Sequence, residues 1–198
     1  MKCIVNAKLI VKDEIVEGKI LFFDNKIVKI DDKLDNNILE IIDAKGNYVS
    51  AGFIDIHIHG SGGADVMDAT FEALETLSTT LVKTGTTSFL ATTMTMSSEE
   101  IDKALQAVQK FSTSVTGASI LGVHLEGPFI NIEKHGAQDK LYIQSPNFNL
   151  IENYMDIVKM ITLAPELEES EEFIKFIVKE YPHIVLSIGH SNATYAQS

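Results

Sequence analysis

The first fifty residues alternate hydrophobic and polar positions with a period of two, which is typical of short β-strands. Val, Ile and Phe recur through the segments CIVNAKLIV, EIVEGKILFFDNKIVKID and LEIIDAKGNYV. Turn-forming residues at positions 12–14, 24–26 and 45–47 mark the breaks in this pattern. No helical period competes with it. We therefore predict a small antiparallel β unit at residues 1–50, with a thin core.

After Ala51 the pattern changes to strand-like runs that alternate with amphipathic helical segments. The five predicted strands cover 52–60, 87–94, 118–127, 160–165 and 183–190. The three predicted helices cover 68–83, 98–111 and 169–180, and Ser97 or Ser98 caps the second. This alternation predicts parallel β-α-β units and an α/β fold. The strands fit either an open doubly wound sheet, which the length favours, or most of an eight-stranded barrel, which the residues at the strand ends favour.

Composition and charge narrow the classes of function. The 198 residues include 16 Lys and Arg against 28 Asp and Glu, a net charge of −12, and all the cationic residues are lysines. Nucleic-acid binding normally leaves a basic footprint, which this sequence lacks, and no stretch reads as a membrane span. The single cysteine, Cys3, cannot form an internal disulfide. We therefore expect a protein of the reducing cytoplasm without nucleic-acid or membrane partners.

The strand GFIDIHIHG has two contrasting faces. The isoleucines within residues 54–58 share one face, which we expect to pack on helices, whereas His57 and His59 share the other face with Asp55. Two residues at i and i+2 of a strand point the same way about 6.5 to 7 Å apart, so both imidazoles can reach one cation. The alternative is a pair of core histidines that hydrogen-bond to the backbone. The pairing and the position at the strand's carboxyl end favour a metal site.

Two further predicted strands end in residues that commonly bind metals. Glu126 ends HLEG, and His190 closes IVLSIGH, whereas His124 lies one layer deeper and is expected to be structural. The carboxyl ends of parallel strands meet at one rim, so these side chains should converge. The predicted metal ligands are therefore His57, His59, Glu126 and His190. Imidazole and carboxylate suit Zn²⁺, Fe²⁺ or Mn²⁺, and such an ion would acidify a water and polarise a carbonyl, as amide hydrolysis requires.

Other chemistries have less support in the sequence. The segment Gly60–Gly63 follows a strand and precedes a helix, but Asp65 stands where a dinucleotide fingerprint needs its third glycine. We interpret this segment as a flexible turn beside the metal site. No G-x-S-x-G elbow is present, and Cys3 has no catalytic neighbour in the sequence. Nucleophilic catalysis is therefore not indicated.

The segments GFIDIHIHG, HLEGPFI with KHGAQ shortly after, TLAPE and GHSNATY resemble, in order, the signatures of the N-acetylglucosamine-6-phosphate deacetylase family of the amidohydrolase superfamily. The resemblance covers residues 1–198. It implies a partial (β/α)₈ TIM-type barrel at residues 51–198, with about five of the eight β/α units. It also implies a small β-sandwich portion at residues 1–50. The implied reaction is the metal-dependent deacetylation of N-acetylglucosamine 6-phosphate to glucosamine 6-phosphate and acetate, in amino-sugar catabolism.

The resemblance also implies roles for individual residues. By matching, Glu126 and His190 are metal ligands, and His57 and His59 are similar to the extra pair that members with two metals carry. The implied cofactor is one or two divalent ions, with Zn or Fe expected. Many superfamily members bridge two metals with a carboxylated lysine at the end of strand four, where this chain has TLAP, and the deacetylase branch uses the glutamate of strand three instead.

Substrate binding and completeness follow from the same resemblance. Ala137 and Gln138 align with a substrate-contacting loop, and the implied partners are a small phosphorylated amino sugar and, in the complete enzyme, a second copy in a homodimer. The family's catalytic aspartate would lie beyond Ser198, so we expect an N-terminal half that is inactive alone. Two alternatives stay open. One is an amidohydrolase for a different N-acyl or cyclic amide, and the other is a non-catalytic metal-binding or assembly half.

Overall fold

The structure, a computed structural model, describes residues 1–35 and 37–198, and the chain divides into the units Met1–Gly52 and Phe53–Ser198. The first unit contains two sheets. Its strands are β1 (Lys2–Val5), β2 (Lys8–Val11), β3 (Glu14–Val16), β4 (Ile20–Phe23), β5 (Ile27–Asp31), β6 (Glu40–Asp43) and β7 (Tyr48–Val49). One sheet has the order β5-β4-β1-β6 and the other β3-β2-β7. The interpretation of the first unit as part of a β-sandwich stays a prediction.

The prediction that this unit is antiparallel is wrong for two strand pairs. Strand β1 pairs in parallel with β6, and β2 pairs in parallel with β7. The segment that carries β6 and β7 lies alongside the segment that carries β1 and β2 and runs in the same direction. A parallel pair requires a long crossover, and the intervening strands β3 to β5 supply it. The buried core of this unit includes Ala7, Leu9 and Leu21.

The second unit is built on one parallel sheet of five strands in the order β14-β13-β12-β11-β8. These strands are β8 (Phe53–Ile58), β11 (Thr86–Thr92), β12 (Ser119–Glu126), β13 (Val158–Leu163) and β14 (Val185–Ile188). Their order in space follows their order in the chain, without the reversal that defines a doubly wound sheet. The sheet is therefore part of a (β/α)₈ barrel, and the open-sheet alternative is excluded.

Three α-helices accompany this sheet: α1 (Phe71–Leu81), α2 (Ser98–Phe111) and α3 (Ser170–Glu180). Helix α2 has the predicted bounds, and Ser97 is its N-cap in a capping box with Glu100. A short hairpin of β9 (Gly60–Ser61) and β10 (Ala64–Asp65) follows β8, as expected for a turn. Only short 3₁₀ segments are described between β12 and β13, from Ile132–Lys134 to Glu152–Tyr154. No described helix is both long enough and apolar enough to cross a membrane.

The core of the second unit lies between this sheet and the helices. Its large, fully buried side chains include Leu74, Phe89, Leu105, Leu125 and Ile161. The predicted packing of the isoleucine face of β8 on helices is wrong for two of three residues. Ile54 is 61% exposed and Ile56 is 51% exposed, whereas Ile58 packs against the core. The reason is topological. Strand β8 is the edge strand of the described sheet and pairs only with β11 there, so a β/α unit on one side only is available to cover its isoleucine face.

Candidate metal centre

The predicted site residues all lie at the carboxyl end of the parallel sheet. His57 is in β8 and His59 directly follows it, Glu126 is the last residue of β12, and His190 follows β14 by two residues. The alternation of β8 places the two histidines on one face, with the Asp55 carboxylate accepting the backbone N–H of His57 at 3.0 Å. Parallel pairing then brings three separate strand ends to one rim.

The carboxylate of Glu126 is the centre of this cluster. Its Oε1 lies 3.2 Å from Nε2 of His57 and 3.2 Å from Nε2 of His190. Its Oε2 lies 2.9 Å from Nε2 of His59, and the Glu126 side chain is only 5% exposed. A buried carboxylate is stable only when it is paired, hydrogen-bonded or bound to a metal. The structure therefore brings together the four residues that the sequence predicted would converge.

The residues fit a divalent cation. Ligand atoms of His57, His59 and Glu126 lie within 4.8 Å of one another, and His190 adds a third imidazole to the same carboxylate. Two ligands about 2.1 Å from one ion in tetrahedral geometry are separated by about 3.4 Å. The oxygens of Glu126 lie at a comparable 2.9 to 3.2 Å from the Nε2 atoms of the three histidines. Imidazole with carboxylate is a donor set typical of Zn²⁺ and Fe²⁺. The cluster could therefore hold a divalent metal ion.

Burial and charge act in opposite directions on these groups. Burial raises the pKa of Glu126, but the hydrogen bond from His59 and the attraction of His57, His59 and His190 outweigh it and lower the pKa to about 2. The same hydrogen bond raises the pKa of His59 above its ordinary value. The carboxylate is thus ionised at neutral pH, the state in which a glutamate binds a cation.

His124 lies beneath the cluster and is 1% exposed. Its Nδ1 is 2.9 Å from the carbonyl oxygen of Ile56, which can only accept, so we assign the proton to Nδ1. Its Nε2 then accepts from the hydroxyl of Thr162 at 2.7 Å. Burial lowers the pKa of His124, which favours this neutral form. Both nitrogens are used between β8 and β13, in agreement with the structural role predicted for His124.

Loops after three strands hold His190 in place. Its Nδ1 lies 2.8 Å from the carbonyl oxygen of Lys134, which directs Nε2 toward Glu126. The backbone N–H of Asn131 donates to the carbonyl oxygen of His190 at 2.9 Å. The carboxylate of Glu166 accepts from the side chains of Asn131 at 2.8 Å and Ser191 at 2.7 Å. Sequence reasoning missed this role of Glu166, although the residue lies within the quoted TLAPE segment.

The predicted substrate-contacting pair divides into an exposed and a buried residue. Ala137 is exposed, whereas Gln138 is 4% exposed. The Oε1 of Gln138 accepts the backbone N–H of Thr95 at 2.6 Å, and its Nε2 donates to Oε2 of Glu126 at 3.1 Å. The sequence carried no signal for either contact, because both depend on the course of irregular loops. Gly136, which precedes Ala137, lies beside the imidazole of His190, so the segment borders the cluster.

Comparisons with known proteins agree with this architecture. N-acetylglucosamine-6-phosphate deacetylase of Lysinibacillus sphaericus is 38% identical over 179 residues, which cover 88% of this chain and 46% of the relative. The deacetylase of Bacillus subtilis is 41% identical over 153 residues, which cover 73% of this chain and 38% of the relative. The chain thus spans about half the length, or less, of these curated relatives.

A solved structure and a family model extend the comparison. The crystal structure of N-acetylglucosamine-6-phosphate deacetylase from Pasteurella multocida superposes with a TM-score of 0.88 at 32% identity, and the match covers 99% of this chain and 52% of that chain. The model of the amidohydrolase family matches residues 48–194. This match includes the whole parallel sheet and every residue of the cluster around Glu126. The chain belongs to the amidohydrolase family.

Proposed function

We propose that this chain carries the metal centre of an N-acetylglucosamine-6-phosphate deacetylase, which hydrolyses the acetamide of that sugar to glucosamine 6-phosphate and acetate. The observation that carries the proposal is the convergence of three imidazoles on the buried carboxylate of Glu126. The deacetylase name of the relatives supports the substrate.

In this proposal His57, His59, Glu126 and His190 bind one or two divalent ions, Zn²⁺ or Fe²⁺. When bound, the ion would supply Lewis acidity toward the amide carbonyl and lower the pKa of a water. The low pKa of Glu126 keeps its carboxylate ionised and ready to bind a cation. The hydrogen bond from Nδ1 of His190 to Lys134 holds that imidazole with Nε2 toward the site.

We propose that the segment of Ala137 and Gln138 contacts the sugar through its backbone. Ala137 is exposed, and the neighbouring Gly136 lies beside His190, so a substrate at the cluster would meet this segment. The side chain of Gln138 is buried and already hydrogen-bonded. The backbone N–H of Gln138 donates to the carbonyl oxygen of His135, and the carbonyl oxygen of Gln138 lies 3.0 Å from Nδ1 of His135. The backbone N–H and C=O groups of Ala137 are therefore the polar groups that this segment offers.

We further propose that the protein acts in the cytoplasm on this small phosphorylated sugar, with no nucleic-acid or membrane partner, and that the complete enzyme is a homodimer. The net charge of −12 and the absence of arginine support the exclusion of nucleic acid. The single cysteine, Cys3, is buried and free, which suits a reducing compartment.

The test is an acetate-release assay on Zn²⁺- or Fe²⁺-loaded protein. The 198-residue chain is assayed alone and mixed with a polypeptide that carries the part of the Lysinibacillus sphaericus relative outside the match. We expect the mixture to release acetate from N-acetylglucosamine 6-phosphate, with little from N-acetylglucosamine or a hydantoin, and none after Glu126→Gln. The chain alone should release none. Preference for the unphosphorylated sugar or for the hydantoin would contradict the proposal.

A further inference from the structure

The side chain of Gln138 is an unusual feature of the site, because it is a buried amide with every polar atom in use. Its Oε1 is 2.6 Å from the backbone nitrogen of Thr95, and its Nε2 is 3.1 Å from Oε2 of Glu126. Nε2 also lies 3.6 Å from the sulfur of Met94. With the side chain only 4% exposed, no polar atom of it remains for a ligand.

The partners of this amide fix its orientation. A backbone N–H can only donate, so the group that faces Thr95 must be the carbonyl oxygen Oε1. The Nε2 group must then point at Glu126, where an ionised carboxylate accepts. The loop itself is held by a hydrogen bond from the backbone N–H of Gln138 to the carbonyl oxygen of His135, 2.9 Å long. Gln138 therefore presents a donor to Glu126 from a fixed position.

The neighbouring loop is also tightly packed against the end of β12. Gly127, which follows Glu126, has a φ of 69°, and a side chain there would collide with the hydroxyl of Thr95. The Thr95 loop thus lies directly on the backbone next to Glu126. The backbone N–H donor that orients Gln138 and the residue that Gln138 orients belong to one packed unit.

The hydrogen bonds to Glu126 differ in what happens when a cation binds. Its two oxygens face four groups: His57 and His190 on Oε1, and His59 and Gln138 on Oε2. An imidazole binds a cation through an unprotonated nitrogen, so an Nε2 that binds the ion cannot also donate to Glu126. Of these four groups, only the amide of Gln138 can keep donating to the carboxylate in the loaded site.

We propose that Gln138 is a positioning residue, whose amide holds the carboxylate of Glu126 in the orientation that binds a divalent cation. The inference rests on the proposed metal centre and adds to it a side-chain role for Gln138, separate from substrate contact. Groups that orient metal ligands in this way typically change metal affinity about 10- to 100-fold when they are removed.

The experiment measures Zn²⁺ affinity by chelator competition, and the visible spectrum of bound Co²⁺, on the 198-residue chain. Gln138→Leu and the unbranched Gln138→Met remove both hydrogen bonds at similar volume, and Gln109→Leu on the exposed face of α2 is the matched control. We expect about 10- to 100-fold weaker Zn²⁺ binding and a changed Co²⁺ spectrum for the Gln138 variants. The control should match the wild type.

Thermal unfolding of the metal-free variants separates positioning from a purely structural role. A lower Tm together with wild-type metal affinity in a folded Gln138 variant overturns the inference and leaves the metal centre standing. Failure of the wild-type chain to bind either ion overturns both. If neither variant folds, exchange of the Gln138 side-chain amide protons in the Zn²⁺-loaded wild type decides: slow exchange supports the inference, and free exchange overturns it.

Discussion

At Glu126 and His59, one hydrogen bond shifts two pKa values in opposite directions. Against the effect of burial, it helps lower the pKa of Glu126 to about 2, and it raises the pKa of His59. In the metal-free chain the ionised carboxylate and the protonated imidazole therefore stabilise each other. A metal ion would replace that proton, so protons and metal compete for the site.

The stability of the metal-free chain should reflect this pair. Glu126 contributes above its unfolded pKa of about 4.3 and loses its contribution as the pH falls toward its folded value. His59 contributes fully below about pH 6.5 and loses its contribution as the pH rises through its raised folded pKa. The difference in unfolding free energy between wild type and His59→Gln should thus be greatest at about pH 4.5 to 6.5. Urea denaturation in a chelator measures it, and a difference that grows from pH 6 to 8 would contradict the assignment.

Glu166 should stabilise the rim loops through its charge. Burial raises the pKa of Glu166, but the hydrogen bonds from the backbone N–H of Asn192 and the side chains of Ser191 and Asn131 outweigh burial, so the pKa is lower than that of a free glutamate. Glu166→Gln should cost about 1 kcal/mol at pH 7, because the group is only partly buried and solvent screens its charge. Since its folded pKa is lowered, the cost should shrink as the pH falls below about 4.3. Chemical denaturation across this range tests it, with the exposed Glu168→Gln as control; a cost that does not vary with pH would refute the role.

The sequence predicted some of these residue-scale features and missed others for a physical reason. His57, His59, Glu126 and His190 lie at strand ends, where the alternation of a strand and the parallel order of a sheet determine position. Gln138, Thr95 and Glu166 lie in loops whose course depends on tertiary packing. Their contacts join segments far apart in the chain, and no local periodicity reports them.

At the scale of elements, local sequence signals were sufficient to predict the helices but not to predict which strands pair in the sheets. The capping box of Ser97 and Glu100 defines the start of α2 within four residues, so its bounds could be predicted. The parallel pairing of β1 with β6 joins segments separated by more than thirty residues, and the sequence pattern is the same for either direction. Alternation in β8 likewise identified two faces without showing that one is exposed.

Two isoleucines in parallel strands should respond differently to the same substitution. Ile56 in β8 is 51% exposed, whereas Ile161 in β13 is fully buried. Ile161→Ala removes core contacts and should lower the free energy of unfolding by about 2 to 5 kcal/mol. Ile56→Ala should cost less than about 1 kcal/mol. Equilibrium urea denaturation of both variants at pH 7 tests this contrast, and equal costs would show that the isoleucine face of β8 is covered in solution.

At the scale of the whole molecule, charge and chemistry are concentrated in the same region. Residues 1–50 carry 8 lysines and 9 acidic residues, and residues 51–198 carry 8 and 19, so −11 of the net −12 belongs to the second region. The cluster around Glu126 lies wholly within the unit Phe53–Ser198. An acidic protein favours cations in general, but only this cluster combines imidazoles with a buried carboxylate among the described residues.

Binding of Zn²⁺ should therefore stabilise the second unit selectively. Because the ion binds the folded site, free Zn²⁺ at 100 times Kd should raise the free energy of unfolding by about 2.7 kcal/mol. Hydrogen exchange should slow at the carboxyl ends of β8, β12 and β14, which carry the ligands, with little change in β1 to β7. The double variant His57→Gln with His59→Gln should lose most of this protection, and a chelator should reverse it in the wild type. Equal slowing in the unit Met1–Gly52 would indicate that Zn²⁺ acts at another place, because every proposed ligand lies outside that unit.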